Sequence, residues 1–175
     1  MFLTRDLATQ TGTFALVPQV ARAVRLPVIA AGGIADANGV AAALALGAAG
    51  VQVGTAYLLC REATTSVVHR GALQDHAMHT ALTNIFTGRP ARGIVNRIMR
   101  ELGPISSAVP EFPLAVSALA PLRTKAEAAG IADFSPLWSG QNRSGCLAVG
   151  AAELTRSLME GVAHGQARPA APAAL

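Results

Sequence analysis

PVIAAGGIADANGVAAALALGAAGVQVGTAYLL, residues 27–59, decides how this 175-residue chain is read. Val28-Ile29-Ala30-Ala31 is a short apolar run of the kind that forms a strand buried on both faces in a parallel sheet. Gly32-Gly33 breaks it, and Asp36 is placed to cap a helix that extends to about Leu46. Gly47 then suits the left-handed residue that commonly ends a helix. Gly50-Val51-Gln52-Val53 gives a second strand, and Gly54-Thr55 a second turn leading into another helix through Leu58, Leu59 and Cys60. Two parallel strands joined by a helix make a βαβ unit, whose crossover is right-handed in nearly all cases.

The unit's two glycine turns fall at the same end of its two strands. A glycine there adopts positive φ without strain and lets the backbone approach a ligand with no Cβ in the way. Backbone N–H groups and the Thr55 hydroxyl can then converge on one anion, with a helix N-terminus adding its partial positive charge. Each glycine turn alone is also explained as a tight connection. Two in succession, the second carrying Thr, point to phosphate.

Outward from this stretch the pattern is helical. Phe14, Val17, Val20, Ala21 and Val24 recur at three- and four-residue steps, which predicts a helix over about Val17–Val24 with Pro18 at its first position. After Arg61, helices are predicted over Thr65–Ala77, Ile94–Leu102, Pro121–Ala129 and Val149–Val162, with no further strand. Residues 1–12 read as irregular and 163–175, Pro- and Ala-rich, as a disordered tail. The body is 13–162, with a helical subdomain at about 62–145.

Composition narrows the classes. Hydrophobic residues are 51% against 14% charged, and the excess is largely alanine, which favours an α/β globule over disorder. The apolar run Gly39–Val51 is shorter than the roughly 18 residues a spanning helix requires, so no membrane partner is predicted. Arg5 and Asp6 interrupt the N-terminal apolar start, which leaves the cytoplasm as the expected compartment. Cys60 and Cys146 stand in no metal or redox spacing and read as unrelated thiols. A net charge of +4 and pI near 10.0 raise nucleic acid as a partner. Against it, the arginines are scattered, only Arg89, Arg92, Arg97 and Arg100 gathering, and one Trp with one Tyr makes no stacking platform. His69, His76, His79 and His164 match no catalytic pattern, and no metal site is predicted.

AAGGIADANGVAAALALGAAGVQVGTAYL, together with TFALVPQV, LTNIFTGRPARGIVNR and LWSGQ, resembles the C-terminal half of the nitronate monooxygenases, from about Thr13 to Met159. The resemblance implies part of a TIM-type (β/α)₈ FMN-binding barrel: its last strands plus a helical C-terminal subdomain. It places the FMN phosphate at Gly32, Gly33, Gln52, Val53, Gly54 and Thr55, and puts Gln141 near the substrate with Trp138 as packing. The implied reaction oxidises an alkyl nitronate with O2 to a carbonyl compound and nitrite.

In the family the catalytic histidine lies in a GGH segment ahead of TFALVPQV. Here MFLTRDLATQTG stands in that place, so no catalytic residue is assigned, and a complete barrel needs about 250 residues. A complementing half-barrel or a second copy is the implied partner. A silent phosphate- or partner-binding fragment, and an FMN barrel of the enoyl-reductase type, are the competing readings.

Overall fold

The computed structural model describes residues 6–166, with side chains to Ala163. It divides into two units. Among the described residues, one gathers Thr11–Ala63 with 144–166, and the other holds Thr64–Arg143 with 6–10.

The first unit contains the stretch that the sequence singled out. Helix α1 (Thr13–Ala23) precedes strand β1 (Ile29–Ala31), helix α2 (Ala37–Ala45) and strand β2 (Gly50–Gln52). β1 and β2 pair in parallel with Ile29, Ala30 and Ala31 opposite Gly50, Val51 and Gln52. The predicted βαβ unit is present. Asp36 caps α2 as read, its Oδ1 accepting the Gly39 N–H at 2.8 Å, and Gly47 follows the helix at φ 98°.

Two details depart from expectation. α1 begins at Thr13, so Pro18 lies inside it. Proline there denies the Phe14 carbonyl its helical donor and crowds it with the ring, and Phe14 is exposed, so that carbonyl can turn to water. Beyond β2, a 3₁₀ turn spans Thr55–Leu59 where a longer helix was expected.

Burial along β1 alternates. Ala30 is buried, in a core with Val17, Ala43 and Ala48, while Ile29 and Ala31 on the opposite face are exposed. A second core joins Val40, Ala56, Cys60, Leu154 and Leu158 and brings in helix α6 (Ala151–Gln166). α6 passes the expected Val162 end; of the predicted tail, 167–175 lies outside the described residues, as do residues 1–5.

The second unit corrects the prediction that no strand follows Arg61. Strand β3 (Thr80–Thr83) pairs antiparallel with strand β4 (Ala91–Ile94), Thr80 opposite Ile94 and Thr83 opposite Ala91. TALT and ARGI are four-residue strands, and most of their residues are half-buried, so neither shows the alternation that marks a strand in sequence. Ile94 therefore belongs to β4, and helix α4 (Arg97–Leu102) starts after Asn96, whose side chain caps it. Helix α3 (Val67–Gln74) is capped by Ser66 and is shorter at both ends than the expected Thr65–Ala77. Helix α5 (Leu114–Ala128) starts seven residues ahead of Pro121, which it contains. Ile85, Phe86, Ile98 and Met99 form an apolar cluster in this unit.

Candidate functional site

The parallel register sets the geometry of the site. Because Ala31 lies opposite Gln52, the next residues on each strand, Gly32-Gly33 and Val53-Gly54-Thr55, leave the sheet at the same end. Gly32 and Gly33 take φ values of 101° and 78°, a region that L side chains rarely adopt. Gly54 has φ −114°, which any residue can adopt, so its backbone conformation does not call for glycine. A Cβ built at Gly33 or Gly54 meets nothing within 4 Å. The turn surface at both glycines is open.

The turns are held from behind. Ala35 and Ala56 are buried, and Gly145 lies so close to the Ala35 carbonyl that a side chain at position 145 would collide with it. The Cys146 thiol donates to the Thr55 carbonyl at 3.2 Å, which ties the 3₁₀ turn to the same strand of chain. Tyr57 meets the Thr155 hydroxyl at 2.8 Å and so links the turn to α6. The Asp36 carboxylate is engaged by the Gly39 N–H. Gln52 is exposed, and Val53 and Thr55 are half-buried at the rim. The residues named for phosphate are thus neighbours on one edge of one unit. A residue to which the sequence reading gave no site role joins them: the Thr13 hydroxyl, at the start of α1, donates to the Ala31 carbonyl at 3.1 Å.

The family model for nitronate monooxygenase matches residues 4–161. The chain belongs to the nitronate monooxygenase family. It is 44% identical over 151 residues to a nitronate monooxygenase of Pseudomonas aeruginosa, covering 85% of this chain and 43% of that one. Among solved structures, a nitroalkane oxidase of Streptomyces ansochromogenes superposes with a TM-score of 0.81 at 40% identity, over 89% of this chain and 44% of the other. FabK of Thermotoga maritima superposes at 0.67 and 28% identity, over 87% and 49%. The chain spans less than half the length of each of these relatives.

LTNIFTGRPARGIVNR and LWSGQ, which also carry the nitronate monooxygenase resemblance, sit in the second unit, and there they build structure. LTNIFTGRPARGIVNR is the β3–β4 hairpin with its connection. Gly88, at φ 82°, lies against the backbone of Pro110–Phe112, and the Thr87 hydroxyl both accepts the Arg89 N–H at 3.2 Å and donates to the Arg89 carbonyl at 3.0 Å. Arg92 folds back to donate to Thr80, and Arg97 pairs with Glu101 at 2.6 Å. The gathered arginines therefore do not form one patch of uncommitted charge.

Trp138 packs edge-on against Phe86, with ring centroids 5.6 Å apart, in line with the packing role read for it. Gln141 is exposed on a segment pinned at both ends. Upstream, the Trp138 carbonyl meets His69 Nε2 at 3.0 Å. Downstream, Arg143 donates to the carbonyls of Ala72, Asp75 and Met78. Burial holds the His69 imidazole below its ordinary pKa, against the opposing pull of the Trp138 carbonyl. His76 and His79 are exposed, and the His164 side chain lies outside the described residues. No helix among the described residues is long and apolar enough to cross a membrane.

Proposed function

We propose that this chain supplies the phosphate-anchoring end of an FMN-dependent nitronate monooxygenase built as a (β/α)₈ barrel. The supporting observation is the Ala31–Gln52 register, which puts two open glycine turns side by side. Barrel enzymes frequently hold phosphate in the loops after two successive strands near the end of the barrel. Gly32, Gly33, Gly54 and Thr55 hold the phosphate through backbone N–H groups and the Thr55 hydroxyl, with Gln52 and Val53 forming the wall between the turns. Their fit is steric: an anion placed there meets no Cβ at Gly33 or Gly54, whose added Cβ atoms would have nothing within 4 Å.

When bound, FMN takes electrons from an alkyl nitronate and passes them to O2, giving a carbonyl compound and nitrite; the protein's share is to bind and orient it. Gln141 is the residue that the family resemblance offers for substrate contact. The catalytic base and the remaining strands come from polypeptide beyond the part matched here, such as a complementing half-barrel, in the cytoplasm.

Purified protein tests the reading. It predicts yellow protein, or colourless protein that takes up FMN with a rise in melting temperature, and nitronate-dependent O2 uptake once the barrel is complete. Gly54→Asp is expected to weaken FMN binding by tenfold or more, by filling the open space and setting a carboxylate against the phosphate. That is a loss of about 1.4 kcal/mol or more. A chain with no affinity for FMN is a silent fragment and ends the proposal, while flavin reduced by NAD(P)H and indifferent to nitronate moves it to the enoyl-reductase type.

A further inference from the structure

Granted the phosphate reading of Gly32 and Gly33, we propose that Thr13 is a positioning residue that sets the direction of the Gly32 N–H toward an anionic phosphate ester. Thr13 stands at the first position of α1, after Gly12, and reaches across to the end of β1. Its hydroxyl donates to the Ala31 carbonyl at 3.1 Å. The Ala31–Gly32 peptide is trans, and in a trans peptide C=O and N–H point in opposite directions across one plane. Fixing the carbonyl on Thr13 therefore fixes the Gly32 N–H on the opposite side. The same side chain bounds the turn sterically, because a Cβ at Gly32 would lie 3.1 Å from Thr13 Oγ1.

Gly32 and Gly33 both occupy the positive-φ region, where glycine has wide conformational freedom and the peptide plane can flip at little cost. One side-chain hydrogen bond on that plane removes a choice that the backbone leaves open. The turn then meets its ligand already oriented, which spares affinity the cost of ordering it on binding. Thr13 touches no ligand in this account and acts only through the Ala31–Gly32 peptide.

The test compares FMN with riboflavin, which shares the ring system and ribityl chain and lacks the phosphate. The 175-residue chain and its Thr13→Val, Thr13→Ala and Thr13→Ser variants are titrated with both, and each is melted in parallel. Thr13→Val and Thr13→Ala are expected to lose FMN affinity about five- to tenfold, the scale of one hydrogen bond, with riboflavin affinity changed less than about twofold. Thr13→Ser, which keeps the hydroxyl, is expected to bind FMN like the parent.

Equal losses for both ligands, unchanged FMN affinity, a Thr13→Ser variant no better than Thr13→Ala, or failure of both Val and Ala variants to fold would each overturn the positioning role. Gly54→Asp titrated alongside keeps the two readings apart. If it binds FMN normally, the phosphate lies elsewhere and Thr13 falls with it. If it loses FMN while Thr13→Val does not, the site stands and the Thr13 role alone fails.

Discussion

A methyl group added at Gly161 would press on the Ala37 carbonyl and stand 2.9 Å from the Val40 Cβ, so α2 and α6 approach as they do only because position 161 has no side chain. Gly161→Ala is expected to cost about 1–3 kcal/mol through overpacking, read as a lower urea midpoint. Asp36→Ala removes the α2 cap and is expected to cost about 1 kcal/mol by the same measurement. The two residues differ in how they could be read. Asp36 sits three residues before the N–H it accepts, and such local spacing is visible in sequence. Gly161, Gly145 and Thr13 act on partners 18 to more than 100 positions away, and nothing local marks them. That Gly32, Gly33, Gln52, Val53, Gly54 and Thr55 lie together at one end of the sheet was legible because one helix separates their strands, and a βαβ unit leaves little choice of arrangement.

At the scale of elements, the parallel strands were legible and most helices were legible in existence though not in bounds, the one expected after Gly54 being a 3₁₀ turn, and the antiparallel hairpin was not. β3 and β4 are joined by a connection whose shape depends on Thr87, on Gly88, and on Pro110–Phe112 packed against it, a contact the sequence does not announce. Two titrations report on how helices are held. Both oxygens of Glu62 accept the Ala151 N–H at the start of α6, at 3.1 and 3.0 Å. This hydrogen bond is the main reason the carboxyl is held below its ordinary value of 4.5. A lowered carboxyl pKa stabilises the folded state above the unfolded-state value and ceases to do so as pH falls through the folded one. α6 is thus expected to loosen as pH drops below about 4.5, and Glu62→Gln to flatten that part of the profile, followed by circular dichroism. His69 has the same sign for a different reason, since burial disfavours its charged form. Stability is expected to be full above its ordinary pKa of 6.5 and to decline as pH falls below it. His69→Gln should remove that component from melts taken between about pH 7.5 and 5.

On the scale of the whole molecule, the β1–β2 layer shows what the chain leaves uncovered. Among the described residues its sheet has two strands, hence unpaired edges. Ile29 on the open face is 57% exposed, and Phe14 and Leu26 in the same unit are 74% and 76% exposed. Strands with apolar residues on both faces are the mark of a sheet covered on both sides, which agrees with proposing further barrel strands over Ile29. The chain is expected to self-associate as concentration rises. Ile29→Lys should reduce light scattering while changing stability by less than about 0.5 kcal/mol, and unchanged scattering would assign association to another surface. The sequence showed both the sheet and the family, because motif spacing carries them. Which face remains open was not legible, since burial belongs to the assembled fold.

The central claim is that one end of this sheet grips a phosphate, and amide hydrogen exchange with and without FMN tests it most directly. The account predicts slowed exchange at Gly32, Gly33, Gly54 and Thr55, with riboflavin giving less protection at the same four amides. Protection confined to the β3–β4 hairpin, or equal protection by both ligands, would contradict it.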